Sequence, residues 1–195
     1  MSVKPILFNT EMVQRILTGA KTTTRRPIKP TSKDADRITA LFNYKNEIIG
    51  AANTKDGIPI SDIKPPYQKF DTLYVHETWR PFKDGYLYRA TCNDDWDGLW
   101  HPSIHMPKEA ARIWLKVTNV RIERVEDITE EQAHAEGFYR GWQHPDLPNS
   151  TPSETAKQAF MWVWHKLYGI MNDYVWVIEF TRIQKPEEKI WCSMN

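Results

Sequence analysis

Basic side chains are concentrated in one short segment near the amino terminus, at positions Lys21, Arg25, Arg26, Lys29 and Lys33. Guanidinium groups bind phosphates and carboxylates through two parallel hydrogen bonds. A cluster of this size suits an anion of nucleotide dimensions better than a long polymer, which requires a broad basic stripe. We therefore predict that Arg25 and Arg26 bind a phosphate or carboxylate. The alternative is that they form surface ion pairs with the acidic residues of segment 123–136.

Three further side chains are candidates for lining the same site, namely Glu77, Trp79 and His105. Glu77 and Trp79 lie at the end of a predicted strand, where the ring of Trp79 is placed to stack on a base. Packing in the core is the alternative for Trp79, since aromatic rings mostly serve that purpose. The segment around His105 either covers the site or forms a simple turn.

The histidines and cysteines do not predict a metal centre. His101 and His105 are four residues apart, but Pro102 disfavours a shared helical face, and Cys92 is the one cysteine near them. Cys92 and Cys192 are far apart in sequence, which fits a reducing cytoplasm without a disulfide framework. We expect neither a metal nor another cofactor.

The overall composition is that of one globular domain, with 195 residues of which 26% are charged and 41% hydrophobic. A net charge of +1 argues against a protein that coats long duplexes. The nine tryptophans supply large rings for a core, and base stacking is the alternative for some of them. The amino terminus does not resemble a signal peptide, and the longest apolar run, 160–164, is too short to cross a bilayer. We expect a cytoplasmic protein with no membrane partner.

The elements that position the basic cluster are predicted from hydrophobic periodicity. Residues 5–8 form a strand, and a helix follows that is capped by Asn9 or Thr10 and ended by Gly19. The chain then leaves the helix as an extended, threonine-rich segment, 21–26, because β-branched residues favour strands. Further strands are predicted at 71–79, 86–90, 111–125 and 174–180.

The second half of the chain predicts a curved sheet with flanking helices. A change of phase at Thr118–Asn119 indicates a β-bulge, of the kind that a closed, strongly curved sheet needs. A short helix capped by Asp127 or Thr129 extends to Glu136 and stops at Gly137. A longer helix covers 152–168, with one apolar face formed by Ala156, Phe160, Val163, Trp164 and Leu167. The order of elements predicts an α+β fold built on a β-barrel.

Loop-rich insertions interrupt this pattern in three places, 31–68, 91–110 and 139–153, where proline, glycine and polar residues are frequent. The first contains one predicted hairpin around 43–49. We predict a single domain over residues 1–184, followed by a polar tail, 185–195.

Four segments resemble, in the same order, the ASCH family of the PUA-like superfamily. Residues 19–25 (GAKTTTR) resemble its G-x-K-T-x-T-x-R signature, and residues 71–75 (DTLYV) resemble its x-D-x-L-x-V strand, with Phe70 where glycine is common. Residues 128–136 (ITEEQAHAE) look like the helix after its long strand. Residues 175–180 (VWVIEF) look like its closing strand.

The resemblance implies a PUA-like α+β barrel with a pocket for RNA or a modified nucleoside. One branch of the family removes the acetyl group from N4-acetylcytidine, and its catalytic lysine, threonine and glutamate correspond here to Lys21, Thr24 and Glu136. The resemblance implies that, in amide hydrolysis, Thr24 supplies the attacking hydroxyl and Lys21 accepts its proton. Glu136 then orients Lys21 or transfers the proton. Lysine is a weak base at neutral pH unless its pKa falls.

Three functions stay open, because the chain is longer than these amidohydrolases and looks more like the longer ASCH proteins of phages and prophages. The first is amide hydrolysis on a modified nucleoside. The second is a non-catalytic reader of RNA or a modified base, which uses Arg25, Arg26 and Trp79. The third is a metal-independent ribonuclease in which Lys21 steadies the phosphate. A hydrolase requires Lys21 and Glu136 within hydrogen-bond distance, whereas a reader requires an accessible basic rim and stacking rings.

The three catalytic candidates also have purely structural readings. A lysine just after a helix favours the helix dipole. Thr24 is then an ordinary strand residue, and Glu136 a solvated side chain in the last turn of its helix.

Overall fold

The computed structural model describes residues 2–34, 37–42, 48–92, 98–143, 151–169 and 174–186. Ten strands and three α-helices lie in these residues, together with short 3-10 turns at Ser103–His105, Lys108–Ala110 and Val125–Asp127. In chain order the elements are β1 (Val3–Leu7), α1 (Thr10–Leu17), β2 (Thr23–Pro27), β3 (Arg37–Phe42), β4 (Ile48–Lys55), β5 (Ile58–Ile63), β6 (Thr72–His76), β7 (Trp79–Phe82), β8 (Gly85–Tyr88), β9 (Trp114–Arg124), α2 (Glu130–Ala135), α3 (Ala156–Tyr168) and β10 (Tyr174–Ile183).

The main sheet has five strands in the order β1-β6-β9-β10-β2. β1 runs parallel to β6, and the other neighbours are antiparallel. The predicted bulge is confirmed, because Asn119 pairs with Glu179 and Val117 with Phe180, which leaves Thr118 between two paired residues. Such a bulge bends and twists the long β9–β10 ribbon.

The predicted β-barrel was wrong, since none of the sheets in the described residues closes on itself. The open edges of the main sheet are β1 and β2, and each contains a proline, Pro5 or Pro27. Proline has no amide hydrogen and is tolerated mainly at sheet edges. A side chain links the two edge strands, because Nη2 of Arg26 in β2 donates to the carbonyl of Leu7 in β1 over 2.9 Å. The molecule is therefore an α+β protein with an open mixed sheet.

The segment 31–68 contains a three-stranded antiparallel sheet, β3-β4-β5, where we predicted mostly loop. The predicted hairpin at 43–49 falls where β3 and β4 pair, although residues 43–47 lie outside the described residues. Five of the six residues of β5 are exposed, with only Ile63 buried, so the strand has little hydrophobic periodicity to reveal it. Ala51 and Ile63 connect this sheet to the main core.

The other two predicted insertions are described in part. Segment 91–110 contains two 3-10 turns, and residues 93–97 are outside the described residues. The ends of segment 139–153 are joined by two backbone hydrogen bonds, from Gly141 N to Ser153 O (2.7 Å) and from Ser153 N to Trp142 O (3.0 Å). Of the predicted tail, only residues 185–186 fall within the described residues.

The predicted helix boundaries are confirmed at three ends. Asn9 caps α1, and Gly19 follows it with a φ of +80°. Thr129 caps α2 in a capping box with Gln132. α3 begins at Ala156, four residues later than the predicted start at 152, and Leu167 is 62% exposed rather than part of the buried face. No helix among the described residues has both the length and the apolar character needed to span a membrane.

β10 is apolar on both faces because it separates two buried clusters. Ile178 and Phe180 belong to the main core, with residues of β6, β9 and α1. Val175 and Val177 point to the opposite side and pack against α2 and α3. This confirms the prediction of a central strand at 174–180, and it places α2 and α3 on the face of the sheet that carries the candidate site.

The amino terminus is held by the buried carboxylate of Asp71. It accepts hydrogen bonds from the backbone nitrogen and the hydroxyl of Ser2 (3.0 and 2.8 Å) and from the backbone nitrogen of Gln68 (3.0 Å). It also pairs with Nζ of Lys4 at 3.0 Å. Burial raises the pKa of Asp71, but these donors lower it by more, to well below its usual range.

Replacing Asp71 with asparagine is expected to make stability less dependent on pH in the acid range. A carboxylate whose folded pKa is depressed stabilises the protein above its unfolded pKa of about 4, and this contribution is lost as the pH falls. We expect Asp71→Asn to lower the free energy of unfolding by about 1–3 kcal/mol near neutral pH, and by less in acid. Urea denaturation of the natural chain and of Asp71→Asn at several pH values measures the loss of stability at neutral pH and in acid. A deficit that stays constant with pH would contradict the assignment.

Candidate functional site

Lys21 and Glu136 form a buried ion pair, and their contact is shorter than that between Lys4 and Asp71. Nζ of Lys21 lies 2.7 Å from Oε2 of Glu136, and it also donates to the carbonyls of Glu136 (2.9 Å) and Thr23 (2.8 Å). The Lys21 side chain is 0% exposed. All three ammonium hydrogens therefore have acceptors, since an ammonium group has only three donors.

The chain brings this pair together through the ends of two helices. After α1 the chain turns at Gly19, and the backbone nitrogen of Lys21 donates to the carbonyl of Arg15 over 3.0 Å. Lys21 and Glu136 also form an isolated antiparallel bridge. Gly137 follows with a φ of +95°, and a Cβ there would lie 3.2 Å from the Cβ of Arg15. Glycine at position 137 thus permits the close approach of α1 to the end of α2.

Arg25, in strand β2, also contacts Glu136. Its Nη1 lies 3.2 Å from Oε1 of Glu136, and its Nη2 donates to Glu123 (2.8 Å) and to Gln132 (3.0 Å). The Arg25 side chain is 0% exposed. Both Nη atoms of Arg25 donate to protein acceptors, so Nε is the one guanidinium nitrogen left without a partner among the described residues, and Arg25 is not an open phosphate clamp. Its partners do belong to the acidic segment 123–136, but the pairs are buried rather than on the surface.

The ion pairs continue across β9 to β10. Arg121 donates to Glu123 (2.6 Å) and contacts Glu179. Burial raises the pKa of Glu123, but Arg121 and Arg25 lower it by more, so the net shift is downward. The network contains three cations and three anions and is neutral as a whole: Lys21, Arg25, Arg121, Glu123, Glu136 and Glu179.

Burial lowers the pKa of Lys21 below its usual value. The nearby charge of Glu136 and its hydrogen bond act in the opposite direction, and the positive charges of Arg26 and Arg25 act in the same direction as burial. Burial is the largest of these effects. Lys21 is therefore a stronger candidate for proton transfer near neutral pH than a solvated lysine, whose pKa lies about three units above neutrality.

Thr24 lies beside this network, at a small cavity that we call the Thr24 cavity. Thr24 is 1% exposed and pairs with Ile178 of β10. The cavity has a volume of about 50 Å³, room for a water molecule or one small chemical group. The residues that line it include Thr24, Arg25, Arg26, Glu136, Phe138, Phe160 and Trp164. Lys21 does not line it, and lies behind Glu136.

Two buried donors of the residues around the Thr24 cavity have no hydrogen-bond partner among the described residues. They are Nε of Arg25 and Nε1 of Trp164. Arg25 is 3% exposed and Trp164 is 4% exposed. Buried polar groups in native proteins are nearly always paired, so an unpaired donor indicates a water or a ligand acceptor. Both donors favour an acceptor oxygen in or near this cavity.

A larger cavity adjoins the Thr24 cavity between α1 and the chain after α2, and we call it the α1 cavity. Its volume is about 510 Å³, within the range of small-molecule sites. It shares four lining residues with the Thr24 cavity, namely Met12, Glu136, Phe138 and Val163. Its polar lining comes mainly from α1, with Asn9, Glu11, Gln14 and Arg15, and Trp142 adds an aromatic wall.

The α1 cavity has walls that are held in place by contacts of their own. Nε1 of Trp142 donates to Glu11 over 2.8 Å, and the Trp142 ring packs edge-on against Phe138. The guanidinium of Arg15 lies 4.4 Å from the centre of the Tyr139 ring. Glu136 is the acidic side chain that both this cavity and the Thr24 cavity reach.

A third cavity lies on the other side of Arg26, and we call it the basic groove. Its volume is about 570 Å³. The groove is open, and residues from β1, β2, β5, α3 and β10 surround it. It shares Arg26 and Tyr168 with the Thr24 cavity. Arg26 is thus the predicted ligand-binding residue that borders two cavities.

The remaining predicted ligand residues lie elsewhere. Glu77 is 0% exposed, and its two oxygens accept hydrogen bonds from Nε and Nη2 of Arg112 at 2.9 Å each. Trp79 packs edge-on against Tyr86 and borders a separate aromatic cluster. His105 is exposed in a 3-10 turn. None of the three described cavities is lined by Glu77, Trp79 or His105.

Sequence reasoning missed several residues that the fold places at the site. The missed wall residues come from α1 and from segment 138–142. The missed members of the ion-pair network are Arg121 and Glu179, and Gln132, which accepts a hydrogen bond from Arg25, was missed as well. The available signal was the spacing of Glu11 and Arg15, which lie four residues apart and therefore on the same face of α1. Among the described residues, no group of three or more histidine, cysteine, aspartate or glutamate side chains is arranged to hold a metal ion.

Comparisons with known proteins give one structural likeness. No family model matches the chain, and no curated protein matches it. The chain is similar to the crystal structure of an ASCH domain from Lactobacillus crispatus JV V101, with 12% sequence identity and a TM-score of 0.42. The match covers 94% of this chain and 81% of that chain. Values this low transfer no residue role and no activity.

Proposed function

We propose that this chain binds a modified nucleoside in the α1 cavity and hydrolyses an amide on its base at the Thr24 cavity. The observation that carries the proposal is the pair of unpaired, buried donors on Arg25 and Trp164, beside a buried hydroxyl and a carboxylate. An amide carbonyl supplies the acceptor that these donors lack. Its oxygen gains negative charge during hydrolysis, which such donors stabilise.

The two cavities suit the two parts of such a ligand. The α1 cavity, at about 510 Å³, accommodates a nucleoside, with Phe138 and Trp142 beside the ring and polar residues of α1 beside the sugar. The Thr24 cavity, at about 50 Å³, accommodates only a small group such as an acetyl. In this proposal the scissile bond lies at their shared border, next to the carboxylate of Glu136.

The chemistry proceeds as acyl transfer in two balanced steps. Thr24 Oγ1 attacks the amide carbon while Glu136 takes the hydroxyl proton and shares it with neutral Lys21 across the 2.7 Å contact. The C–N bond then breaks, and the proton returns to the leaving amine. Water attacks the acyl-threonine by the same route and releases the acid. Lys21 acts through Glu136, so it is a positioning and proton-holding residue.

The burial of Lys21 argues against one of the two alternatives, the ribonuclease. A ribonuclease that steadies a phosphate with Lys21 needs that side chain to be accessible, and it is 0% exposed with three protein acceptors. A non-catalytic reader remains the second candidate. It is favoured by the basic groove, which has the accessible cations and the rings that a reader requires.

Incubation with N4-acetylcytidine tests the proposal, with chromatography to follow cytidine and acetate. We expect turnover by the natural chain and loss of most of it in Thr24→Val, because valine keeps the shape without the nucleophile. Trp164→Phe removes one unpaired donor and is expected to slow turnover by roughly 100-fold. Trp100→Phe is the matched control, because it also removes a buried, unpaired indole donor but lines none of the three cavities, and its turnover should be unchanged. No cytidine release at high enzyme concentration would reject the hydrolase.

A further inference from the structure

The basic groove has a uniform charge and offers no acidic competitor for an anion. Its charged lining residues are Arg26, Lys29 and Lys64, and no acidic side chain of the described residues lines it. Lys29 and Lys64 are exposed, so both ammonium groups are available to a ligand. Three cations around one groove attract phosphate groups over a distance and hold them on contact.

Aromatic rings line the same groove. Tyr67 and Tyr168 are half-buried in its walls, and Trp176, which is 7% exposed, forms part of its floor. The hydroxyl of Tyr67 donates to the carbonyl of Pro5 over 2.9 Å, so this ring is held in position before any ligand arrives. Alternating cations and fixed rings are the features with which proteins bind single-stranded nucleic acids.

Arg26 is also held ready at the border of the groove. Its Nη2 donates to the carbonyl of Leu7 (2.9 Å), and its guanidinium lies 5.5 Å from the centre of the Phe8 ring. In contrast to Arg25, it makes no described ion pair with a carboxylate. Its remaining donors are therefore available to a phosphate, because a guanidinium has five.

The Thr24 cavity has the other two cavities as neighbours, because it shares lining residues with each of them. The basic groove shares Arg26 and Tyr168 with the Thr24 cavity, which in turn shares Glu136 and three other residues with the α1 cavity. A free nucleoside in the α1 cavity leaves the groove empty. We expect a ligand with a second nucleotide to extend from the α1 cavity towards the groove, because neighbouring nucleotides are joined through a phosphate.

We propose that the basic groove binds the phosphate and base of a nucleotide next to the modified one, so that the substrate is a single-stranded oligonucleotide. Lys29, Lys64 and Arg26 contact the phosphates, and Tyr67 and Tyr168 contact the base. The identity of the reacting nucleotide rests on the proposed function. Binding in the groove does not, because it requires no chemistry at Thr24.

Fluorescence anisotropy with a labelled eight-nucleotide oligouridine tests this site directly. The variant Lys29→Glu/Lys64→Glu reverses both exposed charges, and Lys55→Glu/Lys108→Glu makes the same charge change at exposed positions that do not line the groove. We expect the first variant to weaken binding at least roughly tenfold and to reduce the dependence of log K on log salt by about 1–2. We expect the control to bind within about twofold of the natural chain.

Three outcomes decide the matter. Equal weakening by the two double variants, or by neither, would overturn the groove as a binding site. Competition by uridine 5′-monophosphate at the same concentration as the oligonucleotide would overturn a strand as the ligand. Retained turnover of the free nucleoside by Lys29→Glu/Lys64→Glu, with slower turnover of an acetylated oligonucleotide, would support the proposal. Failure of the hydrolysis assay alone leaves the anisotropy result unaffected, so the two proposals fail separately.

Discussion

Replacing Glu136 with alanine is expected to lower the free energy of unfolding by about 3–5 kcal/mol. The substitution leaves the side chains of Lys21 and Arg25 in place, both 0% exposed, without the carboxylate that lies between them. Lys21 keeps two carbonyl acceptors, and Arg25 keeps Glu123, so the network is weakened rather than dissolved. A buried charge that has lost its partner is costly because neither water nor a counter-ion replaces it.

The loss of unfolding free energy in Glu136→Ala should be smaller in alkaline solution. Burial lowers the pKa of Lys21 and Glu136 opposes this, so removal of Glu136 lowers that pKa further. A base whose folded pKa lies below its unfolded value loses stability as the pH falls, and regains it as the pH rises towards about 10. Urea denaturation of Glu136→Ala near neutral pH and near pH 9.5 measures the change.

The matched control for this loss is Glu126→Ala, which removes a half-exposed carboxylate paired with Arg124 at 3.3 Å. Its effect should stay within about 0.5 kcal/mol, as for most surface ion pairs. If Glu136→Ala lowered the free energy of unfolding by no more than Glu126→Ala, water would have to reach the ion-pair network. The assignment of Lys21 as a buried, desolvated cation would then be wrong.

Replacing Lys21 with methionine is expected to reduce turnover of N4-acetylcytidine by roughly 100- to 10,000-fold. Methionine fills a similar volume but can neither hold nor release a proton. Because Lys21 lines none of the described cavities, KM should change little, and the loss should fall on kcat. Lys108→Met, at an exposed position, serves as the control and should retain full activity.

The pH profile separates a proton-transfer role from a structural one. Neutral Lys21 is the active form, so kcat/KM of the natural chain should rise with pH through the lowered pKa of Lys21. Lys21→Met should lose this rise as well as the rate. Where the methionine variant folds poorly, Lys21→Arg provides the comparison, because arginine keeps a positive charge and donors for Glu136 but does not release a proton near neutral pH. Turnover that is slower but keeps the pH profile of the natural chain would reduce Lys21 to a structural residue.

Local interactions made much of the fold predictable from the sequence. Asn9 and Thr129 cap their helices with side-chain hydrogen bonds to residues three positions away, and such bonds are visible as short sequence patterns. The bulge at Thr118 was visible as a change of phase in β9. The two-sided apolar pattern of 174–180 was sufficient to place β10 inside the sheet. In each case the physical cause acts within a few residues or along one strand.

The features that could not be predicted depend on contacts between residues far apart in the sequence. The contact of Lys21 with Glu136 joins positions separated by 115 residues, so its burial and its three acceptors cannot be inferred from the local sequence. The same holds for Glu77, whose charge is taken by Arg112 and not by a ligand. The sequence by itself determined the strands of the main sheet and the caps of α1 and α2, and its family resemblance indicated the candidate Lys21–Thr24–Glu136 set. Only the tertiary structure decided that the sheet stays open, that Lys21 is buried against Glu136, and that the Thr24 cavity shares lining residues with the α1 cavity and the basic groove. These features depend on how distant segments pack.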